Sequence, residues 1–212
     1  MGWETELRQA ISEGDEVKAD EIAAAALEEG ATPRDILEKG AVPGIYEAGR
    51  LWQEGAYFLP DIILATEAYE LVMERVEPLL ASEDVSYKGR VIMGSVEGDA
   101  HDIGKNIVVA LLRSASYEVV DLGVDVPLPE FVAQARALEA DVLGMGAYMT
   151  TTMRGMAEVV RLLEEADLRD GVKVIVGGAA VTREYAADIG ADGYADNAAE
   201  AVELVDRLLG VV

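Results

Sequence analysis

The chain has 212 residues, a formal net charge of −24 at pH 7, a single histidine and no cysteine. The lack of cysteine excludes disulfides, thiolate metal sites and cysteine nucleophiles, and a zinc or iron site built from protein alone would need carboxylates beside the one histidine. Nucleic acid is not expected as a partner, because the negative charge would repel phosphate backbones and no basic stripe offsets it.

The first 81 residues are predicted to form a four-helix bundle. They begin without the basic and then apolar pattern of a signal peptide, and no apolar run in the chain reaches about 18 residues. We therefore expect a cytoplasmic protein with no membrane span. Thr32 and Pro33 have the pattern of an N-cap followed by proline at the first helical position, whereas Gly44 and Gly49 weaken the helix in which they lie. The predicted helices cover residues 4–11, 16–28, 41–54 and 61–80.

From residue 88 onward, apolar strand-like runs alternate with helical segments, and residues 82–87 between the two halves are predicted to be a linker. Such alternation is typical of a parallel sheet with helices on both faces. It predicts an α/β fold of the flavodoxin-like or Rossmann-like type with five strands. The predicted strands cover residues 90–95, 118–121, 142–146, 173–176 and 193–195, and the predicted helices cover 104–114, 129–138, 152–165, 183–189 and 198–209.

Three loops that follow strands carry the residues with the most evident chemistry. His101 follows the first strand with Asp99 two positions before it, residues 150–152 are three threonines after the third strand, and Gly177-Gly178 ends the fourth. Ligands of open parallel sheets bind beyond the carboxyl ends of the strands, so these loops are expected to share one rim. A histidine that ligates a metal usually donates its other ring N–H to a carboxylate, and Asp99 is a candidate for that carboxylate.

Each of these features also has a purely structural explanation. A lone histidine is more often a packed or surface residue than a ligand, and one of the threonines would be expected to cap the following helix. A glycine pair after a strand can form a simple turn. The convergence of all three features on one rim favours a binding site. Since other ligand types are scarce, any metal bound here is expected to arrive inside an organic cofactor.

These residues carry a resemblance to a known family. The spacing Asp99-x-His101-x-x-Gly104, the three threonines and the glycine pair resemble the signature of cobalamin-binding domains that take the corrinoid with its lower base displaced. The helical half is similar through residues 51–55 (Leu-Trp-Gln-Glu-Gly) and 57–60 (Tyr-Phe-Leu-Pro). Over nearly its whole length the chain resembles the corrinoid proteins of methyltransferase systems and, more distantly, the cobalamin-binding module of methionine synthase.

The resemblance implies a role for each residue of the signature. His101 would replace the nucleotide base as the lower axial ligand to cobalt. Asp99 would accept a hydrogen bond from the other ring nitrogen, and Thr152 would complete a relay that couples this ligation to a proton. Residues 1–81 would be a cap domain and residues 88–212 the cobalamin-binding domain. The residues implied to contact the cofactor are Asp102, Ile103, Gly104, Gly146, Tyr148, Thr150, Gly177, Gly178, Trp52 and Leu59, of which Gly104, Gly177 and Gly178 would line the deep channel for the nucleotide tail.

The chain departs from the family at two positions. Serine and leucine are often found where this sequence has Gly146 and Tyr148. Gly146 removes a hydrogen-bonding group that could reach the displaced base, and Tyr148 adds a ring edge or a hydroxyl against the nucleotide. We therefore expect an altered preference for the lower base of the corrinoid rather than a loss of binding.

The helical half contributes a cover in this interpretation. Trp52 and Leu59 align with the positions that cover the upper face of the corrin in the family, where large apolar side chains would shield the cofactor from water and oxidants. The bundle would swing aside about residues 81–87 to admit a partner enzyme. Without the resemblance, both residues would be interpreted as ordinary bundle core.

The function implied by the resemblance is that of a methyl carrier. A substrate-specific methyltransferase would load a methyl group from a small donor onto Co(I), and an acceptor methyltransferase would pass it to tetrahydrofolate or a thiol coenzyme. A reductive activator is an expected further partner, and the chain alone is expected to have little activity. The alternative is a cobalamin-dependent sensor, although such proteins usually append an output domain. A flavodoxin-like or receiver domain unrelated to cobalamin is a third possibility. A flavodoxin would need a phosphate-binding loop after the first strand, where this chain has Asp99-x-His101. A receiver domain would need an acidic cluster with a lysine.

Overall fold

The computed structural model describes residues 2–80 and 87–211. The chain divides into two compact units between residues 86 and 87, which we call the helical unit and the sheet unit. Of the predicted linker and hinge region, residues 81–87, only Tyr87 lies within the described residues. Among the described helices there is none with the length and hydropathy needed to cross a bilayer. The predicted fold class, a helical region followed by a five-stranded parallel sheet, is confirmed.

The helical unit is built from four helical stretches joined by short turns. Asp15 caps the second stretch by accepting a hydrogen bond from the Lys18 N–H, and Thr32 forms a capping box with Asp35 at the start of the third. The predicted cap at Thr32 is thus confirmed. The elements are α1 (Trp3–Ser12), α2 (Glu16–Glu28), α3 (Pro33–Asp35), a π-helical segment (Ile36–Ala41), α4 (Val42–Gln53) and α5 (Leu59–Leu80).

The third stretch begins earlier than the sequence predicts, because α3, the π-helical segment and α4 run on without a break from Pro33. Glycines in this stretch allow α1 to approach closely. A Cβ on Gly40 would lie 2.5 Å from the Leu7 side chain, and one on Gly44 would lie 2.8 Å from Ile11. The glycines that weaken a free helix therefore support a packed one.

The sheet unit contains five parallel strands in the order β2-β1-β3-β4-β5. Each predicted strand is present, and the fourth is one residue longer than predicted because it includes Gly177. The strands are β1 (Arg90–Ser95), β2 (Glu118–Asp121), β3 (Val142–Gly146), β4 (Lys173–Gly177) and β5 (Gly193–Ala195), and the helices are α6 (Ile103–Ser114), α7 (Leu128–Ala137), α8 (Arg154–Glu165), α9 (Arg183–Asp188) and α10 (Ala198–Leu209).

Helices cover both faces of the sheet, with α7, α8 and α9 on one face and α6 and α10 on the other. Alternate strand residues such as Ile92 and Leu143 join α7 and α8 in one buried cluster. Their neighbours Val91 and Val142, which are also buried, point to the other face, where α6 packs against α10. The strand order reverses between β1 and β3, and ligands of open parallel sheets bind at the carboxyl edge beside such a reversal.

Candidate functional site

The loop between β1 and α6 presents His101 at the carboxyl edge of the sheet. Its backbone is held by Ser95 at the end of β1, whose hydroxyl donates to the His101 carbonyl at 2.8 Å. Gly98, with φ of +83°, makes the turn that brings the loop back over the strand. The imidazole itself is 56% exposed, so it is not a packed core histidine.

Asp99 is completely buried beneath this loop and joins it to the loop after β3. Its Oδ1 accepts hydrogen bonds from the His101 ring Nδ1 at 2.7 Å and from the His101 backbone N–H at 3.2 Å. Its Oδ2 accepts from the Thr152 hydroxyl at 2.6 Å and from the backbone N–H groups of Tyr148 at 2.8 Å and Met149 at 3.3 Å. One carboxylate therefore fixes two loops relative to each other.

These hydrogen bonds determine the charge on Asp99. Burial alone would raise its pKa, but donation from the Thr152 hydroxyl, the Tyr148 N–H and His101 outweighs burial and lowers the pKa to about 2. An ionised carboxylate can only accept, so the proton between Asp99 and His101 belongs to Nδ1. With Nδ1 as the donor to Asp99, Nε2 is the ring nitrogen that remains to bind a metal.

The three threonines do not cap the following helix. α8 begins at Arg154, two residues later than predicted, and it has no side-chain cap. The expectation that one threonine serves as an N-cap is wrong, because the Thr152 hydroxyl is directed to Asp99 and to the Met149 carbonyl, at 3.0 Å, instead. Thr150 is exposed in the turn before α8 and does not contact Asp99.

The glycine pair after β4 has a steric reason within the fold. Gly178 has φ of +109°, and a Cβ on it would overlap the carbonyl oxygen of Ala147. A Cβ on Gly177 would lie 3.0 Å from the carbonyl oxygen of Ala195. Gly178 thus allows the chain leaving β3 to pass close to the end of β4, where the Ala147 N–H donates to the Gly177 carbonyl at 3.1 Å, and Gly177 leaves room for β5.

Replacement of Gly178 by alanine is expected to lower the free energy of unfolding by about 3 kcal/mol, because left-handed strain and a backbone clash add together. Gly190 is the matched control, since it has φ of +73° and nothing within 4 Å of a built Cβ. Its alanine variant should lose only about 1 kcal/mol. Urea unfolding of both variants measures the difference, and equal losses would show that the contact with Ala147 relaxes.

Tyr148 lies in a slot between Gly104 and Gly146, which we call the Gly104–Gly146 slot. A Cβ on Gly104 would overlap the tyrosine hydroxyl and lie 2.8 Å from Cζ, whereas one on Gly146 would lie 3.8 Å from the ring edge at Cε2. The ring also leans on His101, with 5.4 Å between ring centroids and 31° between ring planes. Burial, followed by the charges of Asp99 and Asp102, raises the pKa of the Tyr148 hydroxyl.

The remaining predicted site residues divide between the two units. Asp102 and Ile103 are exposed beside His101, at the start of α6. Trp52 and Leu59 belong to the helical unit, at the end of α4 and the start of α5. Leu59 is 50% exposed, which excludes it from the bundle core, whereas Trp52 is half-buried.

The sequence interpretation missed a second loop that supports the first. In the loop after β2, the Asp125 carboxylate accepts from the Gly98 N–H at 2.7 Å, and the Asp125 N–H donates to the Asp99 carbonyl at 2.9 Å. Asp125 has φ of +52°, a conformation that is uncommon for a residue other than glycine. Its acidic side chain in an exposed loop gave no signal of this role.

A buried lysine was also missed. The Lys105 side chain is 2% exposed and pairs with Asp121 at 2.5 Å, at the carboxyl end of β2. It also donates to Asn106 at 2.7 Å. The other oxygen of Asp121 accepts from the Gly123 N–H at 2.8 Å, which fixes the start of the supporting loop. Lys105 lies on the same face of α6 as Val109 and Leu112, four and seven residues later, and a lysine on this apolar face was a signal that could have revealed the pair.

The donor set suits a metal that brings most of its own ligands. Over residues 2–80 and 87–211, no group of three or more histidine, aspartate or glutamate side chains is arranged to hold a metal ion. The rim offers one imidazole nitrogen, oriented by a buried carboxylate. The residues present therefore fit a corrinoid cobalt, which needs a single axial ligand from protein, and do not fit a bare ion.

Comparisons with known proteins agree with this donor set. Two family models described as B12 binding domains match residues 89–203 and residues 3–77. The chain is 43% identical over 208 residues to a corrinoid protein of Desulfitobacterium hafniense (strain Y51), covering 97% of this chain and 96% of that protein. It is 46% identical over 178 residues to dimethylamine corrinoid protein 1 of Methanosarcina acetivorans, covering 84% of each. The crystal structure of the methanol:cobalamin methyltransferase complex of Methanosarcina barkeri is similar with a TM-score of 0.82 and 34% identity, covering 99% of this chain and 80% of that chain.

Proposed function

Because the chain belongs to the family of B12-binding corrinoid proteins and takes a corrinoid as its cofactor, we propose that it is a methyl carrier between two methyltransferases. The observation that carries this proposal is the contact of the buried Asp99 carboxylate with His101 Nδ1, at 2.7 Å. This contact leaves Nε2 as the one oriented donor of the rim. Nε2 would supply the protein ligand that a corrinoid cobalt takes in a carrier of this kind.

The bound corrinoid would supply a cobalt centre that takes up and releases a methyl group. His101 would hold the cobalt through Nε2, and Asp99 would keep the proton on Nδ1. Thr152, which donates to the same carboxylate at 2.6 Å, would stabilise its charge and connect it to the exposed turn before α8. Strengthening or weakening this chain of hydrogen bonds would strengthen or weaken the basicity of Nε2.

The partners proposed for this chain are a substrate-specific methyltransferase, an acceptor methyltransferase and a reductive activator. Support comes from the relatives, whose names include a dimethylamine corrinoid protein and a subunit of a methanol:cobalamin methyltransferase complex. We propose a methylamine or methanol as the first donors to test, and tetrahydrofolate or a thiol coenzyme as the acceptor. The sheet unit contributes ligation and orientation, so selectivity for the donor is expected to lie in the partner.

The test of the proposal is reconstitution of the purified protein with hydroxocobalamin. The bound cofactor should show the absorbance spectrum of cobalt ligated by histidine with its own base displaced. After the bound cobalt has been reduced to Co(I) with a chemical reductant, the loaded protein should exchange methyl groups with a panel of donors only when a partner methyltransferase is added. A spectrum of cobalamin that keeps its own base would contradict the proposed ligation, and exchange without any partner would contradict the carrier role.

Gly146→Ser is expected to change the relative affinity for corrinoids with different lower bases by about fivefold, the effect of one hydrogen bond of about 1 kcal/mol. There is room for the Cβ of a serine, since a Cβ at this position would lie 3.6 Å from Ser95 Oγ and 3.8 Å from Tyr148. Gly146→Ala adds the same Cβ without the hydroxyl and is the control. Binding titrations with several corrinoids measure the effect, and equal shifts for all of them would contradict it.

Trp52→Ala is expected to speed the oxidation of the reduced cofactor by air, if Trp52 covers the corrin as we propose. Trp3 is the control, because it is the other tryptophan of the helical unit and is likewise half-buried. Trp3→Ala should leave the oxidation rate unchanged. The rate of oxidation is followed by absorbance after the cofactor has been reduced. An equal change in the two variants would show that Trp52 is an ordinary residue of the bundle and does not cover the corrin.

A further inference from the structure

We propose that Tyr148 is a displaceable occupant of the Gly104–Gly146 slot, and that the nucleotide tail of the corrinoid can bind only when its ring has left the slot. Tyr148 would thereby select corrinoids by their tails, through the cost of displacing the ring. This inference rests on the proposed function, since it assumes that the sheet unit takes a corrinoid, and it assigns the control of loading to one residue.

The slot exists because residues 104 and 146 are glycines and carry no side chain. Any side chain at residue 104 would collide with the tyrosine hydroxyl, and Gly146 is in contact with the opposite ring edge. The two glycines thus create a space wide enough for a flat ring. Tyr148 fills that space with its own side chain, so a flat group of a ligand can use it only after the tyrosine has left.

Tyr148 is held in the slot by packing and not by its hydroxyl, which makes no hydrogen bond with any residue that the structure describes. Its backbone, in contrast, is fixed, because the Tyr148 N–H donates to the buried Asp99 carboxylate at 2.8 Å. The ring can therefore rotate about its side-chain bonds without disturbing the network beneath His101. Displacement costs contacts but no buried hydrogen bond.

Displacement of the ring would also act on His101. The Tyr148 ring lies against the imidazole, with centroids 5.4 Å apart, and this contact is lost when the ring leaves the slot. His101 keeps its hydrogen bond to Asp99, since Nδ1 contacts the carboxylate directly and the Tyr148 ring takes no part in this bond. When the nucleotide tail enters the slot, the Tyr148 ring therefore also leaves the face of the His101 imidazole.

The experiment compares the association of two probes by stopped-flow absorbance. Aquacobalamin carries the nucleotide tail, whereas aquacobinamide lacks it. If the slot is open in about a tenth of the molecules, removing the ring should speed association of aquacobalamin about tenfold. Tyr148→Leu is the test variant, and Tyr148→Phe, which keeps the ring in the slot, is the control. Circular dichroism of each variant verifies the fold, and Tyr148→Met is the substitute if the leucine variant does not fold.

The expected result is a rate for aquacobalamin that rises about tenfold in Tyr148→Leu and changes little in Tyr148→Phe, with the rate for aquacobinamide unchanged in both. An unchanged rate for aquacobalamin, or equal acceleration of both probes, would overturn the role of Tyr148. Either result leaves the proposed function intact so long as the wild type binds with a histidine-ligated spectrum. Failure of the wild type to bind either probe would overturn both proposals.

Discussion

His101→Ala is expected to abolish ligation of cobalt by the protein and to leave the fold intact. The imidazole is 56% exposed, so its removal creates no cavity, and the loss of its hydrogen bond to Asp99 should lower the free energy of unfolding by only about 1 kcal/mol. No alternative cluster of ligands is available over the described part of the chain. The absorbance spectrum of the reconstituted variant should therefore lose the features of histidine ligation, and urea unfolding measures the stability.

Two further variants sharpen this test. Thr151→Ala changes an exposed residue of the neighbouring turn and should leave the spectrum as in the wild type. His101→Gly leaves room at the same position, so added imidazole should restore an imidazole-ligated spectrum if Asp99 and the rest of the rim are unchanged. A spectrum of His101→Ala identical to that of the wild type would contradict the assignment of His101 as the ligand.

Much of this arrangement could be predicted because parallel strands bring their carboxyl ends together. The apolar runs predict the strands, and once β1 and β3 are neighbours, the loops carrying Asp99 and Thr152 must meet. The direction of the Thr152 side chain could not be predicted. From the sequence, a hydroxyl before a helix could equally well cap the helix N-terminus or donate to a nearby carboxylate. In the structure it donates to Asp99, because this carboxylate is buried and needs donors.

Other features depend on contacts that lie far apart in the chain. The run of helix through Gly40 and Gly44 requires the close approach of α1, which local propensity opposes. The pairing of Lys105 with Asp121 and the support of Gly98 by Asp125 join loops that are adjacent only after the sheet has formed. Such contacts follow from the strand order β2-β1-β3, and the sequence pattern alone does not fix that order.

Asp99→Asn is expected to keep the fold and lower the affinity for histidine-ligated cobalt about 10- to 100-fold, the usual cost of losing a partner of a metal-ligating histidine. If the asparagine oxygen accepts from Thr152 and Tyr148, its NH₂ group faces His101 and donates to Nδ1. The imidazole proton must then move to Nε2, the atom that should bind the metal. Binding titrations with hydroxocobalamin, with absorbance as the measure of ligation, test this loss.

The same carboxylate should contribute to acid sensitivity of the cofactor-free protein. The pKa of Asp99 is lowered from 3.8 to about 2, so the folded state favours the ionised form more than the unfolded state does. The resulting stability is complete above about pH 4 and is lost as the pH falls toward 2. Urea unfolding at a series of pH values should show a shallower decline in this window for Asp99→Asn than for the wild type.

Asp99 joins two loops and also keeps the proton on His101 Nδ1. Asp99→Ala separates these two roles, because it removes both carboxylate oxygens at once. The donors on Tyr148, Met149 and Thr152 would then be left without their partner, at about 1–3 kcal/mol for each group that stays buried, and the fold should lose about 3 kcal/mol. The asparagine variant should lose far less stability and yet bind histidine-ligated cobalt about 10- to 100-fold more weakly than the wild type. Equal stability of the two variants would contradict the bridging role of Asp99. Normal ligation in the asparagine variant would contradict its control of the His101 proton.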